Sequence, residues 1–233
     1  MKIKTLSTLF ISTCLISLCS SCNNDDDPSP SHAFFNINPG NKYVYKQYAY
    51  HRNIPGDVYT FNGIIDSIEI TETVNLNGFT FSKQKRTRYN VNVSTTNGNV
   101  TYSYLRVNNA GNLVGYEGLY QNELPEDFSA ITETSGTVFH PGEDYKYQYR
   151  LDLASGTAVY QLAGTAAIPV EVEGNPYTVL RYMGSYTPFN GTNPTRTVEI
   201  DYQWQKGLVR GQSTEIAGDQ AWEDRLVSAV IVP

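Results

Sequence analysis

The chain has 233 residues and a formal charge of −6, from 17 Lys and Arg against 23 Asp and Glu. That acidic balance argues against a nucleic-acid binder, which needs cations to displace the counterions of a phosphate backbone. Aromatic residues make up 12% and charged residues only 17% of the chain, too aromatic and too weakly charged for a disordered protein.

Residues 1–21 read as a secretory signal. Lys2 and Lys4 supply a basic start, and Leu6 to Leu18 form an apolar stretch broken by Ser and Thr. The stretch is too short and too polar for the roughly 20 apolar residues of a membrane span. It ends in Leu18-Cys19-Ser20-Ser21-Cys22. Two small residues before a Cys, after an apolar run, resemble the lipobox of bacterial lipoproteins. The resemblance implies that Cys22 is diacylated and becomes the new N-terminus. One departure is Cys19, which stands where that motif usually has Leu. Cys19 and Cys22 also match a redox or zinc half-site in spacing, but no second ligand pair follows. Beyond Cys22 the sequence contains no Cys, so the fold cannot use disulfides and must rest on its core.

Residues 22–33 read as a lipidated, flexible tether, because Asn23 to Ser31 is acidic and rich in Pro and Ser. The run Asp25-Asp26-Asp27 resembles the surface-export signal of some Gram-negative lipoproteins; the plainer alternative is a solvated spacer. A flexible run of this kind cannot enforce calcium geometry. The expected location is the outer membrane, lipid-anchored and displayed on the cell surface.

Residues 34–233 read as a single β-rich domain. Period-2 alternation dominates, with turn residues at hairpin spacing. Lys42–Tyr50 is the first strand. Ile64, Ile68, Ile70 and Val74 mark the second, and Asn77-Gly78 turns it into a third that starts at Phe79 and runs through Tyr89, Val91 and Val93. Asn97-Gly98 turns into the Tyr102/Tyr104 strand, and Asn108 to Asn112 turns again before Leu113-Val114. Residues 121–135 allow a short helix or a long loop. Further strands follow at Tyr145/Tyr147/Tyr149, Ala158/Tyr160/Leu162 and Val170–Glu173. After a turn at Gly174-Asn175 come Tyr177–Tyr186, a loop from Phe189 to Thr195, Thr197–Gln205, Leu208-Val209 and Leu226–Val232. The expected fold is all-β: an antiparallel meander forming a strongly curved sheet or unclosed barrel. Pro39 to Lys46 matches Pro141 to Gln148, Asn77 to Phe81 loosely matches Glu173 to Tyr177, and Gly111-Asn112-Leu113-Val114 matches Gly207-Leu208-Val209. Together these point to two related β halves, each covering the other's apolar face.

Few residues carry chemistry. His32, His51 and His140 share no metal spacing and read as surface or turn residues, so no metal or cofactor is expected. No nucleophile elbow or phosphate cradle is present. Glu123 with Glu126-Asp127, Glu143-Asp144 and Glu223-Asp224 read as solvated loop charges; a glycan hydrolase would need two of them facing across a defined gap. Lys83, Lys85, Arg86 and Arg88 alternate between two faces of a strand. They suit an anionic ligand or, more simply, cross-strand pairing with Glu69 and Glu72. Asp66-Ser67-Ile68 resembles a three-residue O-glycosylation site of some exported bacterial proteins, but it falls mid-strand.

Tyrosine alternation is the most unusual feature. Tyr43, Tyr45, Tyr102, Tyr104, Tyr145, Tyr147 and Tyr149 are the candidate ligand-facing residues, since a ring with a polar tip stacks on sugars or lines a wet cavity. Packing between strands is the simpler use of such rings. The order Pro39-Gly40-Asn41-Lys42-Tyr43-Val44-Tyr45, Tyr104-Leu105-Arg106-Val107, Val170-Glu171-Val172-Glu173-Gly174 and Lys206-Gly207-Leu208-Val209 resembles a group of uncharacterised bacterial extracytoplasmic lipoproteins. The resemblance spans residues 39 to about 210, with Tyr43 replacing Trp and one Gly missing from the last motif. It implies a curved antiparallel sheet or unclosed barrel and supplies no catalytic residues. The expected role is a non-enzymatic binding or cell-envelope module, with a glycan or a small apolar ligand. An assembly or adhesion component and an unrecognised glycan-active enzyme are the alternatives.

Overall fold

The computed structural model describes residues 34–51, 58–93, 98–118, 129, 131–140, 149–153, 156–164, 166–189, 196–213 and 220–233. These residues form thirteen strands and no α-helix. In chain order they are β1 (Lys42–His51), β2 (Thr60–Leu76), β3 (Phe79–Asn90), β4 (Asn99–Val107), β5 (Leu113–Gly118), β6 (Thr137–His140), β7 (Tyr149–Leu153), β8 (Gly156–Leu162), β9 (Ile168–Val172), β10 (Asn175–Pro188), β11 (Arg196–Gln203), β12 (Gly207–Gln212) and β13 (Gln220–Val230).

Twelve strands follow one antiparallel path, β6-β5-β4-β3-β2-β1-β13-β12-β11-β10-β8-β7, and β9 pairs with the start of β10. The first and last strands of the chain therefore meet in the middle of the sheet. The two open ends of the path are β6 and β7, which are successive in sequence. Among the described residues no pairing joins them. The expected curved, unclosed meander is the architecture observed.

Local chemistry explains the strand ends. Asn77 and Gly78 both take positive φ, 49° and 83°, the two-residue turn whose twist suits a hairpin. Glu173 and Gly174 repeat it at 53° and 75°. That turn falls one residue before the expected Gly174-Asn175, because Asn175 already pairs with Val172. Val91 and Val93 are not in a strand: β3 stops at Asn90, whose Oδ1 accepts from the Asn92 amide at 3.0 Å and bends the chain away. The expected Tyr145/Tyr147 strand and most of the 121–135 segment lie outside the described residues.

Register shifts at Val44/Tyr45, Lys46/Tyr48, Ile70/Glu72, Asp201/Tyr202 and Leu113/Val114 bend the sheet. The β6 end rolls inward until the His140 ring lies 4.8 Å from Tyr182 of β10 and 3.8 Å from Tyr202 of β11. Phe34 and Phe35 pack on the same rings. The segment before β1 is a strap across this fold. Phe34 O accepts from the Gln205 amide at 2.9 Å, Ile37 O from Ser82 Oγ at 2.6 Å, and Val232 O from Asn36 Nδ2 at 2.8 Å. One buried cluster joins Tyr43, Tyr45, Val209 and Leu226 to Val172, Tyr177 and Val179 of the β9–β10 hairpin. A second holds Leu76, Phe81, Tyr104 and Ile131.

Candidate functional site

Strand register decides which side chains share a face. Tyr43 lies opposite Ile68, Ile68 opposite Arg86, and Arg86 opposite Thr101. Tyr45 lies opposite Asp66, and Asp66 opposite Arg88. This face lines a half-open cavity of about 250 Å³. Its walls come from β1 to β6, β11, the start of β12 and the turn before it, β13 and the strap. Ile68, Ile70, Leu105, Leu113, Leu208, Phe35, Ile37 and Phe139 supply apolar surface; Gln84, Arg86, Ser103, Asp66, Asp224 and Lys206 supply polar groups. That β6 and β11 line one cavity follows from the inward roll of the sheet.

The cavity is polarised along the strands. At one end Asp66 is buried and holds two arginines. Arg88 Nε donates to its Oδ1 at 2.9 Å and Arg88 Nη2 to its Oδ2 at 2.7 Å, while Arg86 Nη2 also reaches Oδ2. Burial pushes the Asp66 pKa up, but the hydrogen bonds and charges of Arg88 and Arg86 outweigh it and hold the group below its usual 3.8. Nearby, Asp224 accepts from Gln47 Nε2 at 3.1 Å, and Gln47 Oε1 accepts from Asn62 Nδ2 at 2.9 Å. Burial raises the Asp224 pKa above 3.8, against the lowering effect of the Gln47 hydrogen bond. Two and four residues beyond Asp66 along β2, Ile68 and Ile70 begin the apolar end.

The candidate tyrosines divide. Tyr43 and Tyr45 line the cavity, both buried, with rings 6.4 Å apart and nearly parallel. Tyr45 OH donates to Leu208 O at 2.9 Å, which ties β1 to β12. Tyr102 and Tyr104 lie opposite Lys85 and Lys83, on the other face of the sheet. There Tyr104 is buried in the Phe81 cluster and Lys83 Nζ sits 5.1 Å above the Tyr102 ring. Tyr149 opens β7, in register with Tyr160. Tyr145 and Tyr147 lie outside the described residues. Tyr202, not among the sequence candidates, lines the cavity.

Comparison with known proteins adds little. No known family model matches the chain, and no curated protein matches its sequence. A structure described as a candidate lipoprotein of Parabacteroides distasonis covers 85% of this chain and 99% of its own, at 10% identity and a TM-score of 0.41. A candidate exported protein of Bacteroides fragilis with a YmcC-like fold gives the same coverage and identity, at a TM-score of 0.40. The strand pairings above, not these likenesses, establish the architecture.

Two sequence expectations change. His140 is not a surface or turn residue; it is buried, and burial drives its pKa down to about 3. Glu223 and Asp224 are not loop charges. Both belong to β13: Asp224 faces the cavity, while Glu223, on the opposite face, is fully buried and accepts from Arg225 Nε at 2.7 Å and Gln212 Nε2 at 3.1 Å. Asp66-Ser67-Ile68 falls mid-strand in β2, as expected, and its Asp66 carboxylate is buried and engaged by two arginines. The basic cluster pairs across strands in part as expected: Lys83 meets Glu72 at 3.0 Å. The partner of Arg86 and Arg88 is Asp66.

On the opposite face a charged row runs across five strands, with Arg181 opposite Asp201, Asp201 opposite Arg210, Arg210 opposite Arg225 and Arg225 opposite Lys46. Glu173, at the β9–β10 turn, reaches Lys46 at 3.4 Å and Arg225 at 3.9 Å, pinning the hairpin to the sheet. Among the described residues no group of His, Cys, Asp or Glu is arranged to hold a metal ion. Asp66 has both oxygens committed to guanidinium donors, which lowers its basicity.

Proposed function

We propose that this protein is a lipid-anchored envelope protein, carried on Cys22 and displayed at the outer membrane surface, that holds a small, mainly apolar molecule in the cavity between β1–β6 and β11. The observation that carries this reading is the cavity itself: about 250 Å³, walled mainly by aliphatic and aromatic side chains, with the charged pair Asp66 and Arg86 at one end. Binding sites for small molecules share that composition. The apolar ligand is favoured over a glycan because Tyr43 and Tyr45 are packed ring against ring, and Tyr45 spends its hydroxyl on Leu208. They shape the wall and offer no open stacking platform. The anchor reading rests on the signal-like segment and the small residues before Cys22.

The test uses the full chain carrying Cys22→Ala. Incubated with an envelope lipid extract and examined by native mass spectrometry, it should retain a small apolar molecule. Ser103→Trp, which fills the cavity from β4, should abolish retention while leaving the fold intact by circular dichroism. Retention of nothing from the extract, or equal retention by the filled variant, would overturn the reading.

A further inference from the structure

We infer that the molecule held in the cavity carries a carboxylate, received at the end where Arg86 stands; this rests on the binding reading above. Both Arg86 and Lys206 line the cavity. Among the described residues only one carboxylate, Asp66, binds the neighbouring pair Arg86 and Arg88, and most of its acceptor capacity goes to Arg88. Arg86 Nε is buried and has no acceptor among the described residues. Arg86 commits Nη2 to Asp66, and its guanidinium, which lines the cavity, keeps further donors for an incoming anion. Lys206 forms no ion pair among the described residues; its ammonium lies 5.0 Å over the Tyr177 ring.

The charge count selects the class of anion. Of the charges that line the cavity, Arg86 and Lys206 balance Asp66 and Asp224; Arg88, behind the lining and bound to Asp66, adds a surplus of one positive charge. One unit of surplus suits a monoanion better than a phosphate monoester, whose charge is roughly −1.5 to −2. The planar guanidinium fork suits a carboxylate. Polarity along β2 then orients the ligand: head toward Asp66 and Arg86, apolar body toward Ile70, Leu105 and Phe139.

A carboxylate can belong to a short fatty acid or to a sugar acid, and calorimetry separates the two. The full chain with Cys22→Ala is titrated at neutral pH with octanoate, 1-octanol, glucuronate and methyl glucoside. Octanoate is expected to bind about tenfold or more tighter than 1-octanol, a gap that closes in Arg86→Gln. Because Arg86 also helps hold Asp66, Lys206→Gln is the second variant. It should weaken octanoate severalfold and leave 1-octanol unchanged. Glucuronate binding tighter than methyl glucoside by a similar margin, with octanoate no better than 1-octanol, supports the carboxylate and assigns it to a sugar acid. Equal affinities within both pairs overturn the carboxylate and leave the cavity reading standing. Failure of all four probes also overturns it; loss of retention from the lipid extract is the separate result that removes the cavity reading.

Discussion

The His140 ring lies 3.8 Å from that of Tyr202, centroid to centroid, although β6 is one end of the strand path and β11 is far along it. The contact joins parts of the sheet that no described backbone pairing links. It works only with a neutral imidazole, because the site is fully enclosed and burial holds the His140 pKa near 3. The unfolded chain takes up that proton near pH 6.5, the folded chain only near pH 3. Stability from this site is therefore complete above pH 6.5 and drains away as pH falls toward 3. Between pH 7.5 and 5, the native chain should lose about 2 kcal/mol relative to a His140→Phe variant. Urea unfolding at the two pH values measures this, and parallel losses in both chains would refute it.

Asp66 responds to pH in the same sense, but in a lower window. Its folded pKa is below 3.8, so its contribution is full above that value and is lost as pH drops through the folded pKa. Asp66→Asn removes the charge that separates Arg86 from Arg88. The guanidiniums keep some access to water, with side chains 36% and 40% exposed. The cost should therefore be about 1–3 kcal/mol, less than for breaking a fully buried pair. Chemical denaturation at pH 7 reads it directly. A variant as stable as the native chain would show that the pair contributes nothing.

Gly115 marks where backbones crowd at the β4–β5 pairing. A Cβ built there would lie 2.0 Å from Tyr104 O, a backbone atom fixed by that pairing. Gly115→Ala should cost about 3 kcal/mol, at the upper end of overpacking effects. Gly164 has nothing within 4 Å of an added Cβ, so Gly164→Ala is the control and should change stability little. Thermal unfolding of the two variants side by side checks the contrast.

What could be read in the sequence was local. Alternation in Lys42–Tyr50 and the Asn77-Gly78 pair marked β1 and the β2–β3 hairpin, because each signal lies within a few residues. Alternation also placed Tyr102 with Tyr104 and Tyr43 with Tyr45. It could not place one pair relative to the other, since that needs the register across β2 and β3, which sets them on opposite faces. The cavity's polar end was hidden for the same reason. Asp66 looked like part of a tripeptide motif, whereas its partners Arg86 and Arg88 are twenty and more residues on. His140 followed by Pro141-Gly142 looks like a turn, and only the inward roll of β6 buries it.

The anchor makes a prediction that does not depend on the fold. If Cys22 is diacylated, two buried acyl chains hold the protein to the membrane, each buried methylene contributing about 0.8 kcal/mol. One chain gives only marginal, reversible attachment, so the release should be nearly complete when both are lost. Cys22→Ala is expected to move the protein from the membrane pellet to the soluble fraction after cell disruption, and to abolish labelling by an alkyne fatty acid. Cys19→Ala should change neither, because Cys19 lies inside the segment read as the removed signal and follows Leu18, not a small residue. Full retention of the Cys22→Ala chain on membranes, with labelling intact, would place the anchor elsewhere.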